Sequence, residues 1–155
     1  MALFDFLGDL EKKVEPIPPA NFWQIKEEEC DIPSSPGVYI LIARRGVHFA
    51  YPKDKSPIYY IGQSKSLRRR LRGHWRWHDE VHRDDRSVFE LYEARHEYGG
   101  EFGGRYCFIK TWRGQSPKGL EDIVLARFAK RYNTFPVANS AAAWNRIKKE
   151  FRNAN

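Results

Sequence analysis

Four side chains of this chain are of types, and stand in places, that could do chemistry: Tyr39, Tyr60, Arg70 and Glu121. Arg70 lies in an arginine-rich stretch that Ser66 can cap as a helix beginning at Leu67. At 100° per residue Leu67, Leu71 and Trp75 span an arc of about 80°, which must face the core. Arg68, Arg69, Arg72 and Arg76 then point to solvent. With Gln63 and Lys65 just before the helix, they make a candidate nucleic-acid-binding face that grips phosphate without selectivity. Arg70 and His74, one turn apart, fall along the edge of the apolar stripe. An arginine partly desolvated there needs an anion, and its planar fork suits a phosphate or a carboxylate. A structural ion pair is the plainer alternative.

Glu121 is the second anomaly. Ser116-Pro117 opens a helix running to about Tyr132, with Leu120, Val124, Phe128 and Tyr132 on its buried face. Glu121 projects into the same arc, where a carboxylate is costly unless it is paired or bound to metal. Its expected place in the first turn is favourable by itself. A lone Glu on that face suits Mg²⁺, which completes its octahedron with water and phosphate oxygens. Tyr39 and Tyr60 lie on predicted strands, where a tyrosine is ordinarily a core residue with a polar tip. Gly62 would let the chain turn tightly after the second of them.

The elements that must position these groups are short. Residues 38–43 form an unbroken apolar run after a Pro-Gly turn and read as a central buried strand. Residues 58–61 make a second strand and 106–109 a third. Residues 44–57, between the first two, read as a long loop or an extended hairpin, and 88–92 fit either strand or helix. Gly99-Gly100 and Gly103-Gly104 bracket an expected turn. Leu3, Leu7, Leu10 and Val14 recur at helical spacing, after which Pro16, Pro18 and Pro19 predict an extended linker. Ser140 caps a last helix with Ala143, Trp144, Ile147 and Phe151 in one stripe. The order predicts an α+β domain over 32–155, preceded by an N-terminal helix and Pro-rich linker over 1–31.

Composition bounds the partners. The 155 residues carry 27 Lys and Arg against 20 Asp and Glu, a formal charge of +7. A basic domain of this kind favours polyanions, nucleic acid first. No apolar run approaches the roughly 18 residues of a membrane span, and no secretion signal is legible at the start. Two cysteines, Cys30 and Cys107, make no disulfide framework and fit a cytoplasmic protein, nucleoid-associated when DNA-bound.

Together Gly37-Val38-Tyr39, Tyr60-Ile61-Gly62, Arg70 ten residues beyond Tyr60, Glu121 and a following Asn resemble the GIY-YIG nuclease family. The stretch 60–71 is similar to the family's second strand and first helix almost position by position. The resemblance spans roughly residues 36–139, about two-thirds of the chain. It implies a three-stranded antiparallel sheet flanked by helices and a DNA endonuclease dependent on Mg²⁺ or Mn²⁺. By the same resemblance Tyr39, Tyr60 and His74 belong to the catalytic centre, Arg70 holds the scissile phosphate and Glu121 the single metal. The expected division of labour has Tyr39, with His74 sharing its proton, activating a water while Tyr60 bonds the phosphate; which tyrosine is the base stays open. The family's terminal Asn is Asn139, within a Pro-x-x-Asn ending, or Asn133. Two departures stand out: residues 44–57 lengthen the interval between the tyrosines, and Gln63 replaces a lysine found in some members. Substrate discrimination is expected from residues 44–57 and 78–86. Branched or structured DNA is among the candidate substrates, in repair, restriction or mobile-element processes, with a homodimer or partner protein supplying specificity.

Other chemistries compete. His74, His78 and His82 at four-residue steps would share one helix face, a zinc-like arrangement opposed by the surrounding arginines. A non-catalytic nucleic-acid-binding module on the same fold would use Trp75 and Trp77 to stack bases. A membrane-surface role fits poorly, because the basic residues share their helix with a stripe needed for the core. Cys107, on a predicted strand without a partner base, reads as an inert thiol.

Overall fold

The computed structural model describes residues 3–22, 25, 31–82 and 94–139, with 75–82 and 94–97 as backbone alone. Its centre is a four-stranded antiparallel sheet in the order β1-β6-β2-β5, made by β1 (Val14–Asn21), β2 (Gly37–Ala43), β5 (Ile58–Ser64) and β6 (Gly103–Lys110). A separate two-stranded sheet pairs β3 (Phe49–Ala50) with β4 (Lys55–Ser56), so residues 44–57 are an extended hairpin. The helices are α1 (Leu67–His82), α2 (Ala94–Phe102) and α3 (Pro117–Tyr132). The α+β class holds, but the sheet has four strands in place of the expected three.

The extra strand is the expected linker. β1 pairs with β6 through Val14↔Ile109, Glu15↔Phe108, Ala20↔Tyr106 and Asn21↔Arg105, with a register shift between Glu15 and Ala20. Prolines are tolerated here because β1 is an edge: a residue without an N–H costs nothing where no neighbour waits to accept. Before it, Asp5–Lys13 is a 3₁₀ helix broken at Gly8 (φ 58, ψ −124), not the continuous amphipathic helix that spacing suggested. Leu7, Leu10 and Val14 are nonetheless buried, as that spacing requires.

Strand β2 is buried along its whole length, which explains its lack of alternation. Its neighbours are β5 and β6, and period-two geometry sorts its residues between two cores. Val38, Ile40 and Ile42 join Ile61, Cys107, Ile109 and the apolar stripe of α3 on one face. Tyr39 and Leu41 join Tyr59, Leu67, Leu71 and Phe108 on the other, where α1 packs. α3 starts as its sequence dictates: Ser116 accepts from the Gly119 N–H at 3.0 Å, with Pro117 at the first position. It ends at Asn133, in the left-handed region (φ 62, ψ 25), whose N–H bonds the Ala129 carbonyl.

Several local expectations change. Gly99 and Gly100 lie within α2, and Gly103 and Gly104 begin β6, so there is no glycine-bracketed turn. α1 continues to His82, so the expected loop at 78–86 begins in helix. The ambiguous 88–92 and the helix after Ser140 fall outside the described residues. Among the described residues no helix is long and apolar enough to cross a membrane.

Candidate active site

The site begins with a pairing in the sheet. Tyr39 on β2 stands opposite Gly62 on β5, and Leu41 opposite Tyr60. Alternation therefore places Tyr39, Tyr60 and Gly62 on the same face, the one α1 covers. Gly62 is strand interior and makes no turn, contrary to the sequence expectation. What it supplies is space. A Cβ there would lie 2.5 Å from both Cζ and Oη of Tyr39 and 2.7 Å from Cε2 of Tyr60. Only a residue without a side chain lets the two phenol rings close over this point, and their centroids are 5.9 Å apart.

α1 brings the third ring. Ser66, its hydroxyl 3.4 Å from the Arg69 N–H, caps the helix, and Ser64 Oγ links strand to cap by bonding both the carbonyl and the N–H of Ser66. Leu67 and Leu71 are wholly buried and fix the helix rotation. His74, two turns on from Leu67 and also buried, then meets Tyr39: its Nε2 lies 3.2 Å from Tyr39 Oη, a hydrogen bond whose direction follows the imidazole tautomer. The His74 ring centroid is 5.2 Å from that of Tyr39 and 6.2 Å from that of Tyr60. Three groups able to carry a proton are thus gathered, with tilted rings, into one cluster from three elements.

Exposure separates the phenols. Tyr39 is completely buried, whereas Tyr60, on the edge strand β5, is half-buried. Tyr39, expected to activate water, is sealed behind Tyr60 and His74, so the phenol that solvent reaches is Tyr60.

The arginines also divide differently from expectation. Arg70 is exposed, not partly desolvated, so burial provides no reason for an anionic partner; the forked cation simply stands on the first turn of α1. Arg68, expected to be purely a solvent-face residue, is half-buried, and its Nε donates to the Ile32 carbonyl at 2.7 Å, latching segment 31–33 to the helix. Arg72 is half-buried as well, whereas Lys65 and Arg69 are exposed and Gln63 half-buried on β5. The side chains of Trp75, Arg76, Trp77, His78 and His82 lie outside the described residues.

Glu121 is half-buried on α3, beyond its first turn, which holds no acidic residue, so the helix-terminus argument made from sequence does not apply. α3 packs the face of the sheet opposite to the phenols. The strand that α3 meets most closely is β5, which carries Tyr60. Among the described residues no three His, Cys, Asp or Glu side chains gather to hold a metal.

The two asparagines have distinct places. Asn133 is the left-handed C-cap of α3 and exposed. Asn139 lies along the open edge of β5 and acts as a strand partner: its Oδ1 accepts from the Ile61 N–H at 3.1 Å and its Nδ2 donates to the Ile61 carbonyl at 2.8 Å. Sequence reasoning missed Gly62 as the spacer and Tyr51 as a buried anchor; the tripeptide 60–62 carried the first signal, and nothing local carried the second. The groove of about 680 Å³ lined by β1, Arg45, Tyr106 and Phe108 lies at the opposite sheet edge and includes none of the candidate residues. Cys107 is free and buried, and burial pushes its thiol far up, which agrees with an inert role.

No protein-family model, curated protein or solved structure matches this chain.

Proposed function

We propose that this chain is a divalent-metal-dependent endonuclease of the GIY-YIG type that hydrolyses DNA phosphodiester bonds. The observation that carries the proposal is the Tyr39–Tyr60–His74 cluster closed over Gly62. Burying a hydrogen-bonded phenol–imidazole pair behind an accessible phenol is a poor way to fill a core and a good way to manage a proton.

Tyr60 meets the attacking water or the phosphate. A phenol alone is a poor general base. Tyr39 and His74 stand behind it, their ring centroids 5.9 and 6.2 Å from that of Tyr60, so that as Tyr60 takes the proton from water its own phenolic proton passes on to the imidazole of the pair. Arg70, exposed on the first turn of α1, reaches a non-bridging oxygen with its fork. Lys65 and Arg69, also exposed, grip neighbouring phosphates. Glu121 fits a single Mg²⁺ or Mn²⁺, because one half-buried carboxylate suits an ion that keeps most of its shell for water and phosphate oxygens. An ion held by Glu121 would supply neutralisation of charge on the departing oxygen.

The test is cleavage of supercoiled, linear, branched and single-stranded DNA with Mg²⁺ or with EDTA, beside Arg70→Ala and Glu121→Ala. Wild type gives Mg²⁺-dependent product, and both variants lose it while retaining DNA binding. Full nicking by Glu121→Ala ends the metal assignment. Salt-sensitive binding with no product from the wild type means a non-catalytic binding module.

A further inference from the structure

We propose that the hairpin of residues 44–57 is a brace for β5, and that Tyr51 is a positioning residue for the cleavage site. The inference rests on the nuclease reading above and assigns a task to a segment that the sequence suggested for substrate discrimination.

Tyr51 is the hairpin's anchor. Only 6% of it is exposed, and its hydroxyl serves two masters: it donates to the Ile58 carbonyl at 2.6 Å and accepts from the Val137 N–H at 3.1 Å. Its ring stands edge-on to Phe128, with centroids 5.2 Å apart. Two outer ties join the hairpin to the end of α3: Asp54 Oδ2 bonds Arg131 Nη2 at 2.7 Å, and Lys53 Nζ donates to the Lys130 carbonyl at 3.4 Å.

From Val137 the chain runs directly to the site. The N–H of Ala138 donates to the Tyr59 carbonyl at 2.9 Å, and Asn139 bonds both backbone groups of Ile61. Tyr60 therefore sits between two residues held from the edge by a segment that Tyr51 holds in turn. The restraint is needed because β5 is an edge strand and its pairing with β2 shifts register between Leu41 and Ile42. Edges and bulges are where a strand moves most readily, and a displacement of about 1 Å at a reacting group can cost about a hundredfold in rate.

Tyr51→Phe keeps the ring and deletes both bonds. In steady-state nicking of supercoiled plasmid with Mg²⁺, kcat falls about tenfold while KM stays within about twofold, a barrier change of about 1.4 kcal/mol. Backbone amide exchange at Ile61 accelerates. Tyr51→Phe with Asn139→Ala cuts no more slowly than Asn139→Ala alone, since both act through one segment. Asp54→Ala, which severs a surface tie and leaves the core intact, gives a kcat drop of about twofold and guards against a core variant that fails to fold. Unchanged kcat in both single variants, multiplying effects in the double variant, or unaltered Ile61 exchange overturns the brace. Wild-type protein that does not cut overturns the nuclease reading instead, and Ile61 exchange then decides the brace alone.

Discussion

Substituting Gly62 by Ala puts the smallest side chain into the point where the phenols meet. The new Cβ would start 2.5 Å from Tyr39 Cζ and Oη, where ordinary contact begins near 3.4 Å, so about 1 Å of movement is forced. Tyr39 is fully buried beneath α1 and cannot swing away, and the Tyr60 ring edge is only 2.7 Å from the same Cβ. Overpacking of this size in a filled core costs about 1–3 kcal/mol. The same movement takes Tyr39 Oη from 3.2 Å beyond hydrogen-bond range of His74 Nε2, or pushes Tyr60 outward. Gly62→Ala should therefore lower the urea midpoint by the equivalent of about 2 kcal/mol and lower kcat about a hundredfold, the rate loss expected of a reacting group misplaced by about 1 Å. DNA affinity should stay within about threefold, because Lys65, Arg69 and Arg70 do not touch this point. Urea unfolding, nicking rates and fluorescence anisotropy on one labelled duplex measure the three effects. Wild-type stability together with a wild-type nicking rate would refute the packing argument.

Other outcomes follow from the same geometry. The Tyr59 hydroxyl is buried without a hydrogen-bond partner, and burial pushes its phenol far up, so Tyr59→Phe should raise unfolding free energy by about 1 kcal/mol; a loss of stability in urea contradicts this. Asn133→Gly should leave stability within a few tenths of a kcal/mol, because glycine adopts the same left-handed cap, whereas Asn133→Ala should cost about 1 kcal/mol. Asn139→Ala leaves both the N–H and the carbonyl of Ile61 without their side-chain partner and should cost about 1–3 kcal/mol; thermal unfolding that ranks it no worse than Asn133→Ala would contradict the edge-partner role. The Arg131 guanidinium, helped by the Lys55 N–H, holds the Asp54 carboxyl below its usual range. The folded chain thus binds that proton less tightly than the unfolded chain, and the pair's stabilisation, present above about pH 4, fades as pH falls further. The midpoint difference between wild type and Asp54→Ala should accordingly shrink between pH 7 and pH 3; a constant difference argues against the ion pair.

Much of the frame was legible because it depends on periodicities the chain carries locally. The unbroken run 38–43 announced a strand buried on both faces, Ser116-Pro117 announced the start of α3, and Leu67 with Leu71 set which side of α1 packs inward. The prolines of β1 misled, because a proline's missing donor reads as a break from sequence and as harmless once the strand lies at a sheet edge. Arg70 misled in another way: helical angle places a side chain on a stripe's margin, but only the neighbouring elements decide whether that margin is covered.

By itself the sequence determined the α+β class, the basic balance, the N-terminal caps of α1 and α3 and the set of residues worth considering for chemistry, all properties of composition or of contacts within a few residues. Which groups meet was decided by tertiary structure. That Gly62 is a spacer and not a turn, that Tyr39 is sealed while Tyr60 is only half-buried, and that Asn139 and Tyr51 hold β5 from outside all follow from contacts between residues distant along the chain. Such contacts have no local period to reveal them, because they exist only once register and packing have been set by the whole sheet.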